Sequence, residues 1–106
     1  MSEKQENDRP WTFLSNYAHV LVCLAEDPGA RMRDVAERVG ITERAAIRIV
    51  KHLEEADVLT KQREGRRNRY QINMDQPLRH PLEAYSTVGS LLTMLLGSNQ
   101  VRSASA

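Results

Sequence analysis

At 106 residues the chain is long enough for one domain with one modest core, and 41% hydrophobic and 27% charged content is ordinary for a soluble globular protein. Aromatic residues at 5% are too sparse for the stacking platforms that hold single-stranded nucleic acid, and the single cysteine, Cys23, excludes an internal disulfide or a zinc site built from several cysteines. The net charge of +1 hides an uneven distribution: residues 42–69 hold eight Lys and Arg against five Asp and Glu, whereas residues 1–41 are net acidic, which favours a polyanionic partner for the middle of the chain.

Residues 1–10 are polar and read as a disordered tail; they lack the apolar stretch of a signal peptide. A first helix is expected over about 12–26, with Thr12 as its cap. Leu14, Tyr17, Leu21 and Leu24 form its stripe, and Phe13, Val20 and Ala25 sit around it. His19 is the only polar residue from Tyr17 to Ala25, so this helix needs more than one buried face, and a second subunit is the natural cover. Asp27-Pro28-Gly29 breaks it. A second helix is expected over about 33–39, with Val35, Ala36 and Val39 inward, closed by Gly40 in a left-handed turn and anchored by Ile41. Thr42 then caps a third helix, residues 43–56, whose core stripe is Ala46, Ile49, Val50 and Leu53.

Residues 58–63 and 68–73 read as two strands around a Glu64-Gly65-Arg66-Arg67 loop, with Leu59, Tyr70 and Ile72 facing the core and Asn68 as a turn residue. Pro77 and Pro81 bracket a loop. A last helix is expected over about 82–96, with Leu82, Tyr85, Val88, Leu92 and Leu95 as its stripe and Leu91, Met94 and Leu96 widening it beyond what this small fold covers. Residues 97–106 read as a second disordered tail. No apolar run approaches the roughly 18–20 residues that span a bilayer.

Two short helices joined by a tight turn, followed by an arginine-loaded hairpin, make a device for duplex DNA: a helix offered to the major groove beside a basic wing. The pattern is Ala36, Gly40, Ile41-Thr42, then Ala46, Val50 and Leu53. Glu54-Glu55-Ala56 leads from there into a strand and the Gly65-Arg66-Arg67-Asn68-Arg69-Tyr70 wing. On these motifs residues 11–96 resemble winged helix-turn-helix transcription regulators of the broad MarR/ArsR type. The resemblance implies a mainly α fold with a small β-hairpin wing, and a homodimer whose interface is made by the flanking first and last helices. It also implies regulation of a promoter in a prokaryotic cytoplasm, on the nucleoid when DNA is bound. Leu14, Tyr17, Leu21, Tyr85, Val88, Leu92 and Leu95 are the expected interface residues. The resemblance departs at Asp57, where such proteins usually carry glycine; aspartate tolerates the left-handed conformation better than most residues.

Within this reading the expected DNA-binding residues are Thr42, Glu43, Arg44, Arg48 and Lys51 on the third helix and Arg63, Arg66, Arg67 and Arg69 on the wing, with Lys61 nearby. Arg44 and Arg48 suit the O6/N7 edge of guanine, and Glu43 either accepts from cytosine or only balances the helix dipole. The wing arginines suit phosphates or a narrow minor groove, though strand alternation prevents all of them from facing the same way. Ile47 either packs against the wing or meets a thymine methyl, with packing ranked first.

His19 and Cys23 share a helix face, which suits either a buried cysteine beside a hydrogen-bonded histidine or a redox- or metal-responsive pair. No metal or other cofactor is expected. A winged helix used as a protein-interaction module is the further alternative. The sequence shows no nucleophile elbow, phosphate-cradling glycine loop or paired catalytic carboxylates, so an enzyme is not expected. An apolar crevice between the first and last helices leaves room for an unidentified small-molecule effector.

Overall fold

The computed structural model describes residues 10–97, and the expected tails lie outside this range apart from Pro10 and Gly97. The order is α1 (Asn16–Glu26), α2 (Met32–Val39), α3 (Glu43–Glu55), β1 (Leu59–Glu64), β2 (Arg67–Ile72) and α4 (Val88–Leu96). This is the expected mainly helical architecture with a two-stranded antiparallel hairpin.

The first helix sits at the centre. It packs against α2, α3, β2 and α4, and buries Ala18, Val20, Leu21, Cys23, Leu24 and Ala25. Four elements of its own chain therefore cover most of its apolar circumference, while Tyr17 stays exposed. Val20 and Leu24 lose all their solvent exposure, and full burial of such a side chain stabilises by about 1.5–3 kcal/mol. The helix starts four residues later than expected. Ser15 is its N-cap in extended conformation, while Thr12 donates to the Leu14 carbonyl and shapes the preceding bend.

Gly40 ends α2 with φ 88°, and its amide and that of Ile41 both donate to the Ala36 carbonyl, at 2.8 and 3.0 Å. That tight left-handed closure aims the chain straight into α3, which begins with Thr42 Oγ1 accepting from the Ala45 amide at 3.0 Å. Ala46, Ile49, Val50 and Leu53 are all buried, as the periodicity predicts.

The exit from α3 is a Schellman closure. The Asp57 amide donates to Glu54 and the Val58 amide to Leu53, at 3.1 and 2.9 Å, and Val58 and Leu53 are both buried. Asp57 has φ 64°, the only positive φ outside glycine among the described residues, and its carbonyl accepts from Asn73 Nδ2 at 3.2 Å.

The hairpin runs in register from Leu59↔Ile72 to Glu64↔Arg67. Its turn is Gly65-Arg66, with glycine first at φ 63°, the arrangement a tight two-residue hairpin needs to match strand twist. Arg67 and Asn68 therefore belong to β2, and Asn68 pairs with Arg63 rather than forming the turn. Leu59, Tyr70 and Ile72 are buried as expected, and the rest of the hairpin projects outward.

The largest departure is at the last helix, which begins at Val88 rather than near Leu82. Residues 74–78 run beside 86–89 instead. Leu78 donates to Ser86, Val88 to Gln76 and Gly89 to Met74, at 3.0, 2.9 and 2.9 Å, and Pro77 bridges Thr87. Those backbone bonds are incompatible with one continuous helix, and residues 80–86 form turns instead, with Glu83 donating to His80 and Ser86 to Glu83. Thr87 is the true N-cap, its Oγ1 accepting from Ser90 at 3.1 Å. Gly89 is required by closeness: a Cβ there would stand 2.9 Å from the Met74 carbonyl oxygen.

Candidate nucleic-acid interface

The inward stripe of α3 leaves Arg44, Ile47, Arg48 and Lys51 together on the outward face, since these positions recur at three- and four-residue steps. All four are exposed. Ile47 is 49% exposed in the middle of these cations and does not join the core. Thr42 and Glu43 are exposed at the helix start. The Thr42 hydroxyl oxygen is engaged by its own helix, and the Glu43 carboxylate lies in the first turn, where the helix dipole favours negative charge.

The only salt bridge among the described residues joins Arg38 to Glu26 at 2.7 Å. Arg44, Arg48, Lys51, Lys61 and Arg66 have no side-chain hydrogen bond or ion-pair partner among those residues. A row of cations that the fold leaves unneutralised is what a polyanion requires.

The hairpin register divides the wing cations. Lys61 and Arg63 share one face with their partners Tyr70 and Asn68, while Arg67 and Arg69 stand on the other face with their partners Glu64 and Gln62. Arg66 is at the tip. Arg63 Nε donates to the Gly65 carbonyl at 3.2 Å and steadies the turn. Arg67 Nη2 donates to the Gly29 carbonyl at 2.9 Å. Beside it, Gly29, Ala30, Arg31, Met32, Arg66, Arg67, Asn68 and Tyr70 line an open cleft of about 370 Å³. Arg31 was missed by sequence reasoning because it lies in the net acidic part of the chain. Its approach to the wing depends on the 27–30 loop folding back.

The pair on α1 takes the first of its two expected forms, a buried cysteine and a hydrogen-bonded histidine. His19 Nδ1 donates to Asn16 Oδ1 at 3.3 Å, and Cys23 is buried. Burial pushes the Cys23 thiol upward, and Glu26 adds to this while Arg38 opposes it. A protonated, enclosed thiol is the reverse of a reactive thiolate. Among the described residues no group of three or more His, Cys, Asp or Glu is placed to hold a metal ion.

A second depression, about 460 Å³ in volume, lies among α1, the end of α3, residues 77–83 and the start of α4. Tyr17, Leu21, His52, Arg79 and Leu91 contribute to its wall. The Tyr17 hydroxyl and His52 Nδ1 are hydrogen-bonded at 2.7 Å and the rings stack with planes 7° apart. This contact between α1 and α3 was not visible in the sequence.

Of the expected interface residues, Leu21, Val88 and Leu92 are buried in the chain's own core and present no surface to a partner, because α4 docks on α1. Leu14 is half-buried, and Tyr17, Tyr85 and Leu95 remain exposed. Trp11, Phe13, Leu82 and Met94, not included in that set, are also exposed, and the Trp11 and Phe13 rings meet edge to face at 4.8 Å.

Residues 19–60 match the family model for winged helix-turn-helix DNA-binding segments. No curated protein sequence matches the chain. Among solved structures, the chain is similar to a MarR family protein of Mycobacterium tuberculosis determined in complex with salicylic acid. The identity is 19% and the TM-score 0.52, over 86% of this chain and 60% of that one. The chain thus spans 60% of that protein's length. No helix among the described residues is long and apolar enough to cross a membrane. The chain thus carries a winged helix-turn-helix segment over residues 19–60, in a fold similar to that of a MarR family protein.

Proposed function

We propose that the protein is a sequence-specific, double-stranded DNA-binding transcription regulator that acts as a homodimer in a prokaryotic cytoplasm. The observation that carries this reading is the exposed stripe of Arg44, Ile47, Arg48 and Lys51, its cations unpaired within the fold, on the second helix of a helix-turn-helix. Each α3 enters a major groove, where Arg44 and Arg48 read base edges, Ile47 meets a thymine methyl and Lys51 contacts phosphate. The wing tip at Arg66 takes phosphate or minor groove. Exposed Tyr17, Tyr85, Leu95, Phe13 and Met94 supply apolar surface for the second subunit. A dimer places two half-sites about 10 bp apart, or a small multiple of that, on an imperfect palindrome.

The test is titration of duplex fragments at several salt concentrations. Affinity falls steeply with salt, Arg66→Ala weakens all sequences, and Arg48→Ala relaxes preference at particular base pairs. Duplex affinity that ignores both substitutions rejects this interface.

We further propose that the depression walled by Tyr17, His52 and Arg79 admits a small aromatic or carboxylate effector. Its apolar wall with a few polar groups supports this, as does the salicylic acid in the similar MarR family structure. Calorimetric titration with salicylate tests it: heat of binding that Tyr17→Ala abolishes is expected, and the absence of heat rejects it for this ligand class.

A further inference from the structure

Beyond the Lys61↔Tyr70 pair the hairpin has no buried side chain to hold it: residues 61–69 are exposed or half-buried. A two-stranded hairpin without a covered face is marginal in water. What steadies it is the loop that ends α1. The Tyr70 amide donates to the Pro28 carbonyl at 3.0 Å, and Arg67 Nη2 donates to the Gly29 carbonyl at 2.9 Å. The two bonds are three residues apart on β2, roughly 10 Å along the strand. The first sits where the core ends and the second close to the wing tip, so the pair fixes both position and angle, whereas the Tyr70 bond alone is a pivot. The 27–30 loop is itself set by its own turn, with Ala30 donating to the Asp27 carbonyl and Gly29 to Asp27 Oδ1.

We propose that Arg67 is a positioning residue of the wing, a strut spent on the Gly29 carbonyl, and that it does not serve as a phosphate clamp. The inference rests on the DNA-binding reading and refines it. Arg66, next in sequence and without an internal partner among the described residues, is the phosphate ligand. Arg67 holds the tip where Arg66 meets the duplex. A strut and a clamp differ in one measurable way. A clamp releases counterions on binding, so its loss lowers the salt slope by about 0.9 per phosphate. Without the strut the free wing is looser, but the same phosphates are neutralised once bound. The penalty is then an ordering cost that salt does not change.

The experiment compares wild-type protein, R66A and R67A by duplex titration at four salt concentrations, with amide hydrogen exchange on each protein free of DNA. For R67A the account expects affinity to fall about 3–10-fold with the salt slope unchanged, and faster exchange at the Tyr70 amide. For R66A it expects the slope to fall by about 0.9 per subunit with Tyr70 exchange unchanged. A bond that merely stabilised the fold would leave affinity untouched well below the unfolding midpoint. A slope lowered in R67A, or Tyr70 exchange unaltered by it, overturns the proposal. If wild-type protein binds no duplex, the DNA-binding reading fails, and the strut is judged on Tyr70 exchange alone.

Discussion

Replacing Asp57 by glycine should make the protein more stable. Asp57 holds φ 64° at the exit from α3, where an L-residue crowds its own Cβ against the following carbonyl. The left-handed conformation costs an ordinary L-residue about 1–2 kcal/mol, and aspartate somewhat less. The two bonds that residue 57 itself makes use only its backbone groups: its amide to Glu54, and its carbonyl from Asn73. Both survive the change. The carboxylate is exposed, has no hydrogen bond of its own among the described residues, and lies at a helix C-terminus, where negative charge is disfavoured.

Against these gains, glycine adds about 0.4–1 kcal/mol of freedom to the unfolded chain. The balance is a gain of about 0.5–1 kcal/mol, equivalent to about 3–5 °C in Tm for a domain of this size. Asp57→Ala supplies the contrast: it keeps the Cβ and loses the tolerance of aspartate, and should lower Tm. Thermal unfolding followed by circular dichroism reads both variants. A D57G protein no more stable than wild type, or a D57A protein more stable than D57G, would refute the strain argument.

Leu92 and Leu95 separate packing within the chain from packing between chains. Leu92 is fully buried, so Leu92→Ala should cost about 2–5 kcal/mol in urea denaturation, whereas Leu95, 40% exposed, should cost little there but weaken self-association in sedimentation. Stability should also fall in alkali. Burial raises both the Cys23 thiol, ordinarily at 9.0, and the Tyr70 phenol, which Glu54 raises further and Asn68 lowers. The unfolded chain therefore sheds these protons first, so the stability is fully present below pH 9.0 and declines as pH rises through the folded values. Urea midpoints from pH 7 upward should show the decline, with its earlier part absent in Cys23→Ala. Gly89→Ala, which forces a Cβ against the Met74 carbonyl, should loosen the start of α4 and speed exchange of its first amides.

Local signals made the helix-turn-helix legible. Gly40 closes α2, Thr42 caps α3, and the stripe of Ala46, Ile49, Val50 and Leu53 needs no distant information, because capping and periodicity act within a few residues. Asp57 was legible only through the family resemblance, which usually has glycine at that position, and its φ of 64° bears out the left-handed conformation expected there. The start of α4 was not. The apolar stripe continues through Leu82 and Tyr85, but residues 74–78 compete for the backbone of 86–89, and that pairing is tertiary.

The same limit applies at α1. Its nearly complete apolar circumference pointed to a partner subunit, because periodicity counts apolar faces without saying which element covers them. Four elements of the same chain cover most of them, and Tyr17 is left exposed. At the candidate site, residue identities on α3 were legible from the helical stripe. The division of labour between Arg66 and Arg67 was not, since it depends on where the Pro28-Gly29 carbonyls lie.

Selection of random duplex fragments by the purified protein, followed by sequencing at low and near-physiological salt, tests the central claim most directly. The account predicts enrichment of an imperfect palindrome with half-sites about 10 bp apart or a small multiple of that, lost when Arg44 and Arg48 are replaced by alanine. Binding without any enriched motif, or no binding at near-physiological salt, would contradict it.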